Sequence, residues 1–422
     1  MDKFIINGGR PLAGEIEVRG SKNAATPILA ACLLTEEPCE IDNLPLIEDV
    51  FRIIEILKSM GVEIEWTGQR KIKVQAKNIN PGQIDQHKVC QLRSSILIIG
   101  GLLGRFDDFK IGHPGGCIIG SRPVETHFEA LIKLGINVSE ENNFYQIKKN
   151  DSQDSVSRKI VLKEFSVTAT ENVLMASVLR PGKTILRIAA AEPHVKELAV
   201  FLNKMGARIS GVGAHEIEIE GVKKLKGADH FIMPDPIEAG TFIIAAAATR
   251  GKVRIINAIP DHLDSVLEKL REMGVNLSVE NGSVSVGSSS RFKAAKIQAL
   301  PFPGIPTDLQ APIAVLCTQA EGTSLIHDPL YEGRFKYINE LVKMGASATI
   351  LDPHRAVITG PSFLSGKEIT SFDLRAGATL IIAALVAKGE SRISEIYQVD
   401  RGYEKIEERL SALGADIRRV KE

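Results

Sequence analysis

Hydrophobic and polar positions along the chain follow a pattern that returns about every seventy residues. One phrase recurs six times, as LKSMGVEI, LIKLGINV, LNKMGARI, LREMGVNL, LVKMGASA and LSALGADI. Its glycines are Gly61, Gly135, Gly206, Gly274, Gly345 and Gly414. A repeat of this length indicates one supersecondary unit that is used six times.

Each repeat predicts two different helices. The recurring phrase ends an amphipathic stretch such as DSVLEKLREMG, and alternating apolar and polar residues follow it. A glycine at this point suits the left-handed position that closes a helix before a strand. Upstream, every copy has a second stretch of small and apolar residues, as in EAGTFIIAAAA. A helix that is apolar on all sides belongs in the interior, where amphipathic helices and strands cover it.

Six such units predict an α/β fold with pseudo-symmetry and two domains of three units each. Two domains also suit the length of 422 residues, which is too long for one ordinary core. The boundary is expected near Asp229 to Asp235. A cleft between two domains is a common place for ligand binding, so we expect the site there.

Composition excludes several classes of partner. Lys plus Arg and Asp plus Glu both number 52, so no field of a single sign attracts nucleic acid or an anionic membrane. The apolar runs are too short for a membrane span or a signal peptide, and we expect a soluble cytoplasmic protein. The scattered cysteines indicate reduced thiols rather than disulfides or a zinc site. They are Cys32, Cys39, Cys90, Cys117 and Cys317.

Polar residues recur where the buried helices are expected to begin. They are Lys22, Asn23, Arg93, Glu171, Asn172, Glu238, Asp308, Asp373 and Arg375. The loops before the second helices add Cys117, Arg122, Arg334 and Arg401. Acidic residues there suit helix caps and the positive end of the dipole, which is the interpretation we favour for Glu171 and Glu238.

Cations at these positions need another explanation, because they oppose the helix dipole. Arg and Lys beside unpaired backbone amides are typical of a site for phosphate and carboxylate groups. A structural ion pair with a nearby Asp is the alternative for any one of them. Five cations in matching positions favour the anion site, and they are Lys22, Arg93, Arg122, Arg375 and Arg401.

Two residues are candidates for proton transfer. Cys117 lies in PGGCIIGSRP, where flanking glycines suggest close approach of a ligand and Arg122 would favour the thiolate. Asp308 is either a helix cap or a general base for a substrate hydroxyl. Cys32 and Cys317 fall in apolar stretches and are predicted to be buried. His127 is predicted to be a hydrogen-bonded structural residue.

Seven ordered segments then resemble the enolpyruvyl transferase family, in its branch that acts on UDP-N-acetylglucosamine. They are RGSKNAATPILAACLL, LRSSILIIGGLLGRF, PGGCIIGSRPVETH, PGIPTDLQAP, YEGRF, FDLRAGATL and VDRGYEKIEERLSALGA. The resemblance implies an inside-out α/β barrel of six βαβαββ repeats, with buried helices surrounded by sheets. It implies domains of residues 22–232 and of residues 1–21 with 233–422.

The resemblance implies transfer of the enolpyruvyl group of phosphoenolpyruvate to the sugar 3-hydroxyl, with release of phosphate, at the start of peptidoglycan synthesis. It implies a monomer without metal or organic cofactor. The cations expected to hold the two anionic groups of phosphoenolpyruvate are Lys22, Arg93, Arg122, Arg334, Arg375 and Arg401.

The resemblance also implies individual roles. Cys117 would protonate the methylene carbon and be the residue that fosfomycin alkylates. Asp308 would take the proton of the sugar hydroxyl. Asn23 would contact the sugar, while Asp373 and Leu374 would lie near the thiol.

Three segments depart from the family pattern. RPVETH stands where RPVDLH or RPIDQH is usual, SVTAT where SVGAT is usual, and PDPIE where PDRIE is usual. All three lie where the family binds the uridine nucleotide. The expected substrate contacts within the first two are Pro123, Val124, Ser166 and Val167. A paralogue that uses another nucleotide or sugar is therefore one alternative, and a regulatory paralogue that binds without turnover is a second.

Overall fold

A computed structural model describes residues 2–115, 124–150 and 157–421 of the chain. Within these ranges the chain divides into two compact units. The N-terminal unit comprises residues 20–115, 124–150 and 157–233. The C-terminal unit comprises residues 2–19 and 234–421.

The α-helices of the described ranges are numbered in chain order. They are α1 (Lys22–Ala31), α2 (Glu48–Ser59), α3 (Gln86–Val89), α4 (Leu97–Leu103), α5 (Glu125–Lys133), α6 (Val167–Ser177), α7 (Pro193–Lys204), α8 (Pro236–Ala248), α9 (Asp264–Glu272), α10 (Thr307–Thr318), α11 (Lys336–Lys343), α12 (Leu374–Val386), α13 (Tyr397–Asp400) and α14 (Ile406–Ala412). Short 3₁₀ helices occur at Cys32–Leu34, Pro81–Gln83, Arg93–Ile96 and Pro260–His262. No helix of these ranges is both long and apolar enough to span a bilayer.

The strands of the same ranges are β1 (Lys3–Asn7), β2 (Ala13–Glu17), β3 (Cys39–Asp42), β4 (Glu63–Gly68), β5 (Lys71–Gln75), β6 (Asp108–Gly112), β7 (Ile136–Glu141), β8 (Phe144–Lys149), β9 (Arg158–Val161), β10 (Lys183–Arg187), β11 (Arg208–Ser210), β12 (Glu216–Glu220), β13 (Asp229–Phe231), β14 (Lys252–Ile256), β15 (Leu277–Glu280), β16 (Ser283–Val286), β17 (Phe292–Lys293), β18 (Lys296–Gln298), β19 (Ala320–His327), β20 (Ser347–Asp352), β21 (Arg355–Gly360), β22 (Glu368–Thr370), β23 (Glu390–Ser394) and β24 (Asp416–Val420).

Small sheets form the outside of each unit. In the N-terminal unit their strand orders are β13-β3-β5-β4, β6-β8-β7 and β11-β12-β10-β9. In the C-terminal unit they are β22-β23-β1-β24, β15-β16-β14-β2 and β17-β19-β21-β20, with β18 also paired to β19. Parallel and antiparallel pairs mix: β1 runs antiparallel to β23 and β24, and β22 runs parallel to β23. Along β1 only alternate residues, Phe4 and Ile6, are buried, so one face of the strand meets the core.

The apolar helices lie inside these sheets, as predicted. The interior of the N-terminal unit contains α1, α4 and α6, and that of the C-terminal unit contains α8, α10 and α12. All residues of α8 from Ile237 to Ala248 are buried, so this helix has no solvent face. The predicted α/β fold with helices inside and sheets outside is confirmed.

The glycine of the recurring phrase also adopts the predicted conformation. Its φ angle is positive in all six copies, between 81° at Gly135 and 107° at Gly345. Each glycine follows an amphipathic helix and precedes a strand or an extended segment. The left-handed conformation ends the helix without the steric cost that a side chain would meet.

The starts of two buried helices differ from the prediction. Helix α6 begins at Val167, where the Ser166 hydroxyl accepts a bond from the Ala169 amide at 3.4 Å. Glu171 therefore lies one turn inside α6 and is not a cap. The cap of α8 is Asp235, which accepts from the amides of Ile237 and Glu238. Glu238 itself lies in the first turn.

Interior helices pack closely because small residues face one another. A methyl group placed on Gly101 of α4 would lie 2.3 Å from the carbonyl oxygen of Ala30 in α1. A methyl group on Gly100 would lie 2.6 Å from Oδ1 of Asn172 in α6. These distances are shorter than van der Waals contact, so both glycines are required at the crossing of the three helices.

Replacing Gly101 by Ala is expected to lower the free energy of unfolding by about 1–3 kcal/mol, because a backbone carbonyl blocks the added methyl group. The accompanying gain in helix propensity, about 1 kcal/mol, is too small to reverse the loss. Urea unfolding measures the effect. The control is Gly68→Ala on an exposed strand, where the nearest neighbour is the Cβ of Lys71 at 3.3 Å. Equal stabilities of the two variants would contradict the close packing.

Candidate active site

The residues singled out by the sequence fall into both units. The C-terminal unit contains Asp308, Arg334, Asp373, Leu374, Arg375 and Arg401. The N-terminal unit contains Lys22, Asn23, Arg93, Val124, Ser166 and Val167. Cys117, Arg122 and Pro123 lie outside the described residues.

Asp308 is the centre of the C-terminal group. It is the second residue of α10, and its side chain is 23% exposed. Its Oδ1 accepts from Nη2 of Arg334 at 2.7 Å, and its Oδ2 accepts from Nε of Arg375 at 2.9 Å. Both arginine side chains are buried, so the two ion pairs are shielded from solvent. The residue at the cap position of α10 is Pro306, so Asp308 is the ion-pair partner of two arginines and not the helix cap.

The two arginines stay charged although they are buried. For Arg375, burial alone acts to lower the pKa, but nearby anionic groups, chiefly Asp308, more than offset it and hold the pKa above its usual range. For Arg334 too, burial acts to lower the pKa, but nearby anionic groups, chiefly Asp308, more than offset it and hold the pKa above its usual range. A buried guanidinium with a carboxylate partner remains a cation at all ordinary pH values.

Asp373 caps the start of α12, the helix that contains Arg375. Its Oδ1 accepts from the amides of Arg375 at 2.8 Å and Ala376 at 3.0 Å, so Asp373 is the helix cap. The following residue, Leu374, packs against Gly402: a methyl group on that glycine would lie 2.7 Å from Leu374 Cδ2. This contact brings the segments around residues 374 and 402 together. Arg401, the neighbour of Gly402, donates to Oε1 of Gln398 at 3.1 Å.

Lys22 begins α1 and is the leading cation of the N-terminal group. Its Nζ lies 3.1 Å from Oδ2 of Asp49, whose side chain is only 4% exposed. Asp49 stands in the first turn of α2, where the sequence indicated no more than an acidic residue at a helix start. Sequence reasoning missed Asp49 because its one signal, an acid that suits the helix dipole, has an ordinary explanation.

The negative charge that balances these cations thus comes partly from the protein itself. Asp49 pairs with Lys22, and Asp308 pairs with Arg334 and Arg375. The sequence favoured a bound anion over structural ion pairs, and at these three side chains the ion pair is present. The pairs come from residues 26 to 67 positions apart in the chain, which periodicity does not reveal.

Helices α4, α5 and α6 are joined by side-chain hydrogen bonds. Asn172 Oδ1 accepts from the Gly100 amide at 2.9 Å, which directs Nδ2 toward Nδ1 of His127 at 3.0 Å. His127 Nδ1 must then accept, and Nε2 donates to Thr168 Oγ1 at 3.0 Å. The predicted structural role of His127 is confirmed. Thr126 also donates to Glu164 Oε1 at 3.0 Å.

Glu171 is an unexpected feature of α6. Its side chain is buried, and its Oε1 has no hydrogen-bond partner among the described residues. Burial, and then the charge of Glu192, raise the pKa of Glu171 well above its ordinary value. The carboxyl group therefore tends to hold its proton in the folded chain. Cys32 and Cys317 are buried as predicted, and burial raises the pKa of Cys317 to about 12.

Comparison with known proteins supports one family over the whole chain. The family model described as EPSP synthase (3-phosphoshikimate 1-carboxyvinyltransferase) matches residues 6–410. The UDP-N-acetylglucosamine 1-carboxyvinyltransferase of Halothermothrix orenii is 44% identical over 421 residues, which cover 100% of each chain. UDP-N-acetylglucosamine 1-carboxyvinyltransferase 2 of Clostridium tetani is 42% identical, again over 100% of each chain.

Solved structures share the fold at lower identity. The enolpyruvyl transferase NikO from Streptomyces tendae superposes with a TM-score of 0.89 at 24% identity and covers 99% of each chain. EPSP synthase from Acinetobacter baumannii superposes with a TM-score of 0.76 at 19% identity and covers 100% of each chain. At such identities the likeness concerns the fold.

The protonation of Glu171 makes a prediction about pH. The unfolded chain loses this proton near the ordinary pKa of 4.5, whereas the folded chain keeps it to higher pH. The stability of the wild-type protein should therefore fall as pH rises above 4.5, by at most about 1.4 kcal/mol per pH unit from this group. Glu171→Gln should remove this contribution and be more stable than wild type at neutral pH. Urea unfolding between pH 5 and 8 measures the difference, with exposed Glu63→Gln as control. Parallel pH profiles for wild type and Glu171→Gln would contradict the raised pKa.

Proposed function

Since this chain belongs to the enolpyruvyl transferase family described as EPSP synthase, we propose which reaction of that family it performs and which residues carry it. The chain is a UDP-N-acetylglucosamine 1-carboxyvinyltransferase: it transfers the enolpyruvyl group of phosphoenolpyruvate to the 3-hydroxyl of UDP-N-acetylglucosamine. Full-length relatives at 42–44% identity have that name. This reaction is the first committed step of peptidoglycan biosynthesis.

One structural observation carries the assignment of residues. Three segments far apart in sequence place Asp308 between Arg334 and Arg375. These are the segments PGIPTDLQAP, YEGRF and FDLRAGATL, whose order and spacing carry the resemblance. A carboxylate held by two buried guanidiniums combines a proton acceptor with groups that bind anions.

Asp308 is the proposed general base. The two guanidiniums stabilise its ionised form, which is the form that accepts a proton. Each bond from an arginine uses one lone pair of the carboxylate, and other lone pairs remain. The partly exposed side chain can therefore accept the proton of the sugar hydroxyl while the arginines hold it in place.

The chemical steps follow from this assignment. Asp308 takes the hydroxyl proton as the sugar oxygen forms a bond to C2 of phosphoenolpyruvate, and the thiol of Cys117 gives a proton to C3. The product of this addition is a tetrahedral adduct. Loss of a proton from C3 and cleavage of the bond between C2 and the phosphate oxygen restore the double bond and release phosphate.

The cations meet the two anionic groups of phosphoenolpyruvate. We assign Lys22, Arg122 and Arg401 to its phosphate and carboxylate, with Arg93, Arg334 and Arg375 completing the cationic surroundings. Electrostatic stabilisation of this kind is effective because the charges are held in place before the substrate arrives. Lys22 is held by Asp49, and Arg375 by Asp308.

The remaining assignments rest on the family resemblance. Asn23 contacts the sugar, and Asp373 and Leu374 lie near the thiol. The nucleotide contacts are Pro123, Val124, Ser166 and Val167. We take residues 22–232 as one domain and residues 1–21 with 233–422 as the other. The enzyme is a cytoplasmic monomer that requires no metal or organic cofactor.

A different acceptor is the second candidate, and the segments that depart from the family pattern favour it. Thr126 of RPVETH donates to Glu164, and Thr168 of SVTAT bonds to His127. Thr126 thus joins α5 to the segment before α6, and Thr168 joins α6 to α5, beside the proposed nucleotide contacts Val124 and Ser166. The residues at the proposed nucleotide end of this chain therefore differ from the usual pattern in sequence, and both threonines take part in side-chain hydrogen bonds there.

The activity is tested by phosphate release from phosphoenolpyruvate with UDP-N-acetylglucosamine, beside other UDP-sugars and UMP. Release with UDP-N-acetylglucosamine is expected, and Cys117→Ala should abolish it because the variant has no thiol to protonate C3. Release only with another acceptor would keep the chemistry and refute the substrate. No release with any acceptor would favour a paralogue that binds without turnover.

Replacing Lys22 by Gln tests its role in anion binding. Loss of one charge-assisted hydrogen bond should raise the KM for phosphoenolpyruvate about 10- to 100-fold, with little change in the KM for UDP-N-acetylglucosamine. Steady-state kinetics with each substrate varied in turn measure both values. The matched control is Lys88→Gln, a surface lysine paired with Glu55 at 3.0 Å. A rise in KM for the sugar nucleotide alone would contradict the assignment.

A further inference from the structure

Asp328 is a buried carboxylate that the chemistry above does not use. It directly follows β19, and its side chain is fully buried, so it does not reach a substrate. Its Oδ1 accepts from the amides of Leu330 at 3.0 Å and Tyr331 at 3.3 Å. Its Oδ2 accepts from Oγ1 of Thr307, the first residue of α10. The carboxylate thus links the start of α10 to the segment that follows β19.

The backbone of Asp328 is held in place as well. Its amide donates to the carbonyl oxygen of His354 at 2.8 Å. In return, Nδ1 of His354 lies 2.8 Å from the carbonyl oxygen of Asp328, and it must donate because a carbonyl oxygen can only accept. His354 stands in the turn between β20 and β21. Asp328 is therefore a fixed point from which other residues can be positioned.

The start of α10 is attached to the segment of residues 328–334 at two points. Thr307 donates to Asp328, and the next residue, Asp308, accepts from Nη2 of Arg334 at 2.7 Å. Neighbouring residues of one helix thus bond to the two ends of one short segment. Two attachments fix both the distance and the direction between the helix start and the segment, whereas a single one leaves rotation about it.

The position of Arg334 depends on the path of this segment. The side chain is 8% exposed, and in the described part of the chain its Nε has no hydrogen-bond partner. Its Cζ lies 5.2 Å from the centre of the Tyr331 ring, and the amide of Tyr331 is bonded to Asp328. The bonds that shape the turn after Asp328 therefore also place the guanidinium that faces Asp308.

We propose that Asp328 and Thr307 are positioning residues for the enolpyruvyl transfer, which hold Asp308 opposite Arg334. This inference rests on the function proposed above, because it assumes that Asp308 is the base. Without the bond between Thr307 and Asp328, the start of α10 can shift against the segment that carries Arg334. Supporting residues of this kind orient catalytic groups without touching the substrate.

A structural role alone is the competing explanation, because buried hydrogen bonds also stabilise the fold. The matched control for Thr307 is Thr318, the last residue of α10, whose hydroxyl donates to a carbonyl oxygen of the same helix at 2.7 Å. The matched control for Asp328 is Glu340, which is 1% exposed and accepts from the amide of Thr370 at 3.3 Å. Each control removes a buried polar group from the same unit and leaves Thr307 bonded to Asp328.

The first experiment measures steady-state kinetics of threonine variants, per mole of folded protein. Thr307→Val is expected to lower kcat about tenfold, the size of one lost bond to a charged group, with both KM values within about threefold of wild type. Thr307→Ser keeps the hydroxyl and should retain the kcat of wild type, as should Thr318→Val. A wild-type kcat in Thr307→Val, or an equal loss in Thr318→Val, would overturn the proposal.

Variants of Asp328 test whether the two residues act together. Asp328→Ala should lower kcat at least as far as Thr307→Val does, whereas Glu340→Ala should keep it. The double variant of Thr307→Val with Asp328→Ala should lose no more kcat than Asp328→Ala alone, because the bond is already absent. Multiplied losses would point to two independent effects and would contradict the proposal. If Asp328→Ala does not fold, the threonine variants decide alone.

A crystal structure of Thr307→Val tests the geometry without any turnover. Nη2 of Arg334 should move from 2.7 Å to beyond hydrogen-bonding distance of Asp308 Oδ1. A contact that stays at 2.7 Å would refute the inference whatever the rates. If instead wild type fails to turn over phosphoenolpyruvate with UDP-N-acetylglucosamine, the proposed function fails, and the crystal structure still decides the positioning role.

Discussion

A helix that is buried on every side can carry polar side chains safely only near its ends, and this constraint shapes the whole molecule. Six apolar helices form the interiors of the two units, and most of their middle positions are Ala, Ile, Leu or Gly. A charged group in the middle of such a helix would lose its hydration without replacement. The polar chemistry is therefore concentrated at the helix starts, where backbone amides are also unpaired. Lys22, Asp308 and Arg375 all occupy the first or second position of a buried helix.

The exceptions to this constraint show how strictly it acts. Asn172 lies inside α6, and each polar atom of its side chain has a partner: Gly100 for the oxygen, Ile96 and His127 for the nitrogen. Glu171 lies beside it, and the raised pKa of its carboxyl group reflects a site where the neutral form is the stable one. Asn172 thus keeps a polar side chain in the interior through hydrogen bonds, whereas the raised pKa of Glu171 favours its neutral form.

At the helix starts, the charged side chains are stabilised by ion-pair partners rather than by the helix dipole. A cation at a helix N-terminus is disfavoured by the dipole, yet Arg375 stands there. Its stability comes from Asp308 on α10, and Lys22 is stabilised in the same way by Asp49 on α2. Lys22 and Arg375 are therefore each paired with an acidic residue on a helix other than their own. The fold shared with NikO and EPSP synthase at 19–24% identity shows that such a scaffold tolerates wide changes in sequence.

Local patterns in the sequence determined the helices and helix ends, and they showed which motifs carry the polar residues that are candidates for chemistry. Apolar stretches predicted the buried helices, and the glycine of each repeat predicted a left-handed helix end, because both depend on neighbours along the chain. The motifs around Asp308, Arg334 and Arg375 were also visible. The sequence did not show that these three side chains meet, nor that α6 begins at Val167 and so encloses Glu171. Only the tertiary structure decided these points, as it decided the pairing of Tyr403 with Thr241, 162 positions apart. The physical reason is that helix formation is a property of adjacent residues, whereas the partner of a buried charge or hydroxyl is set by which elements pack against it.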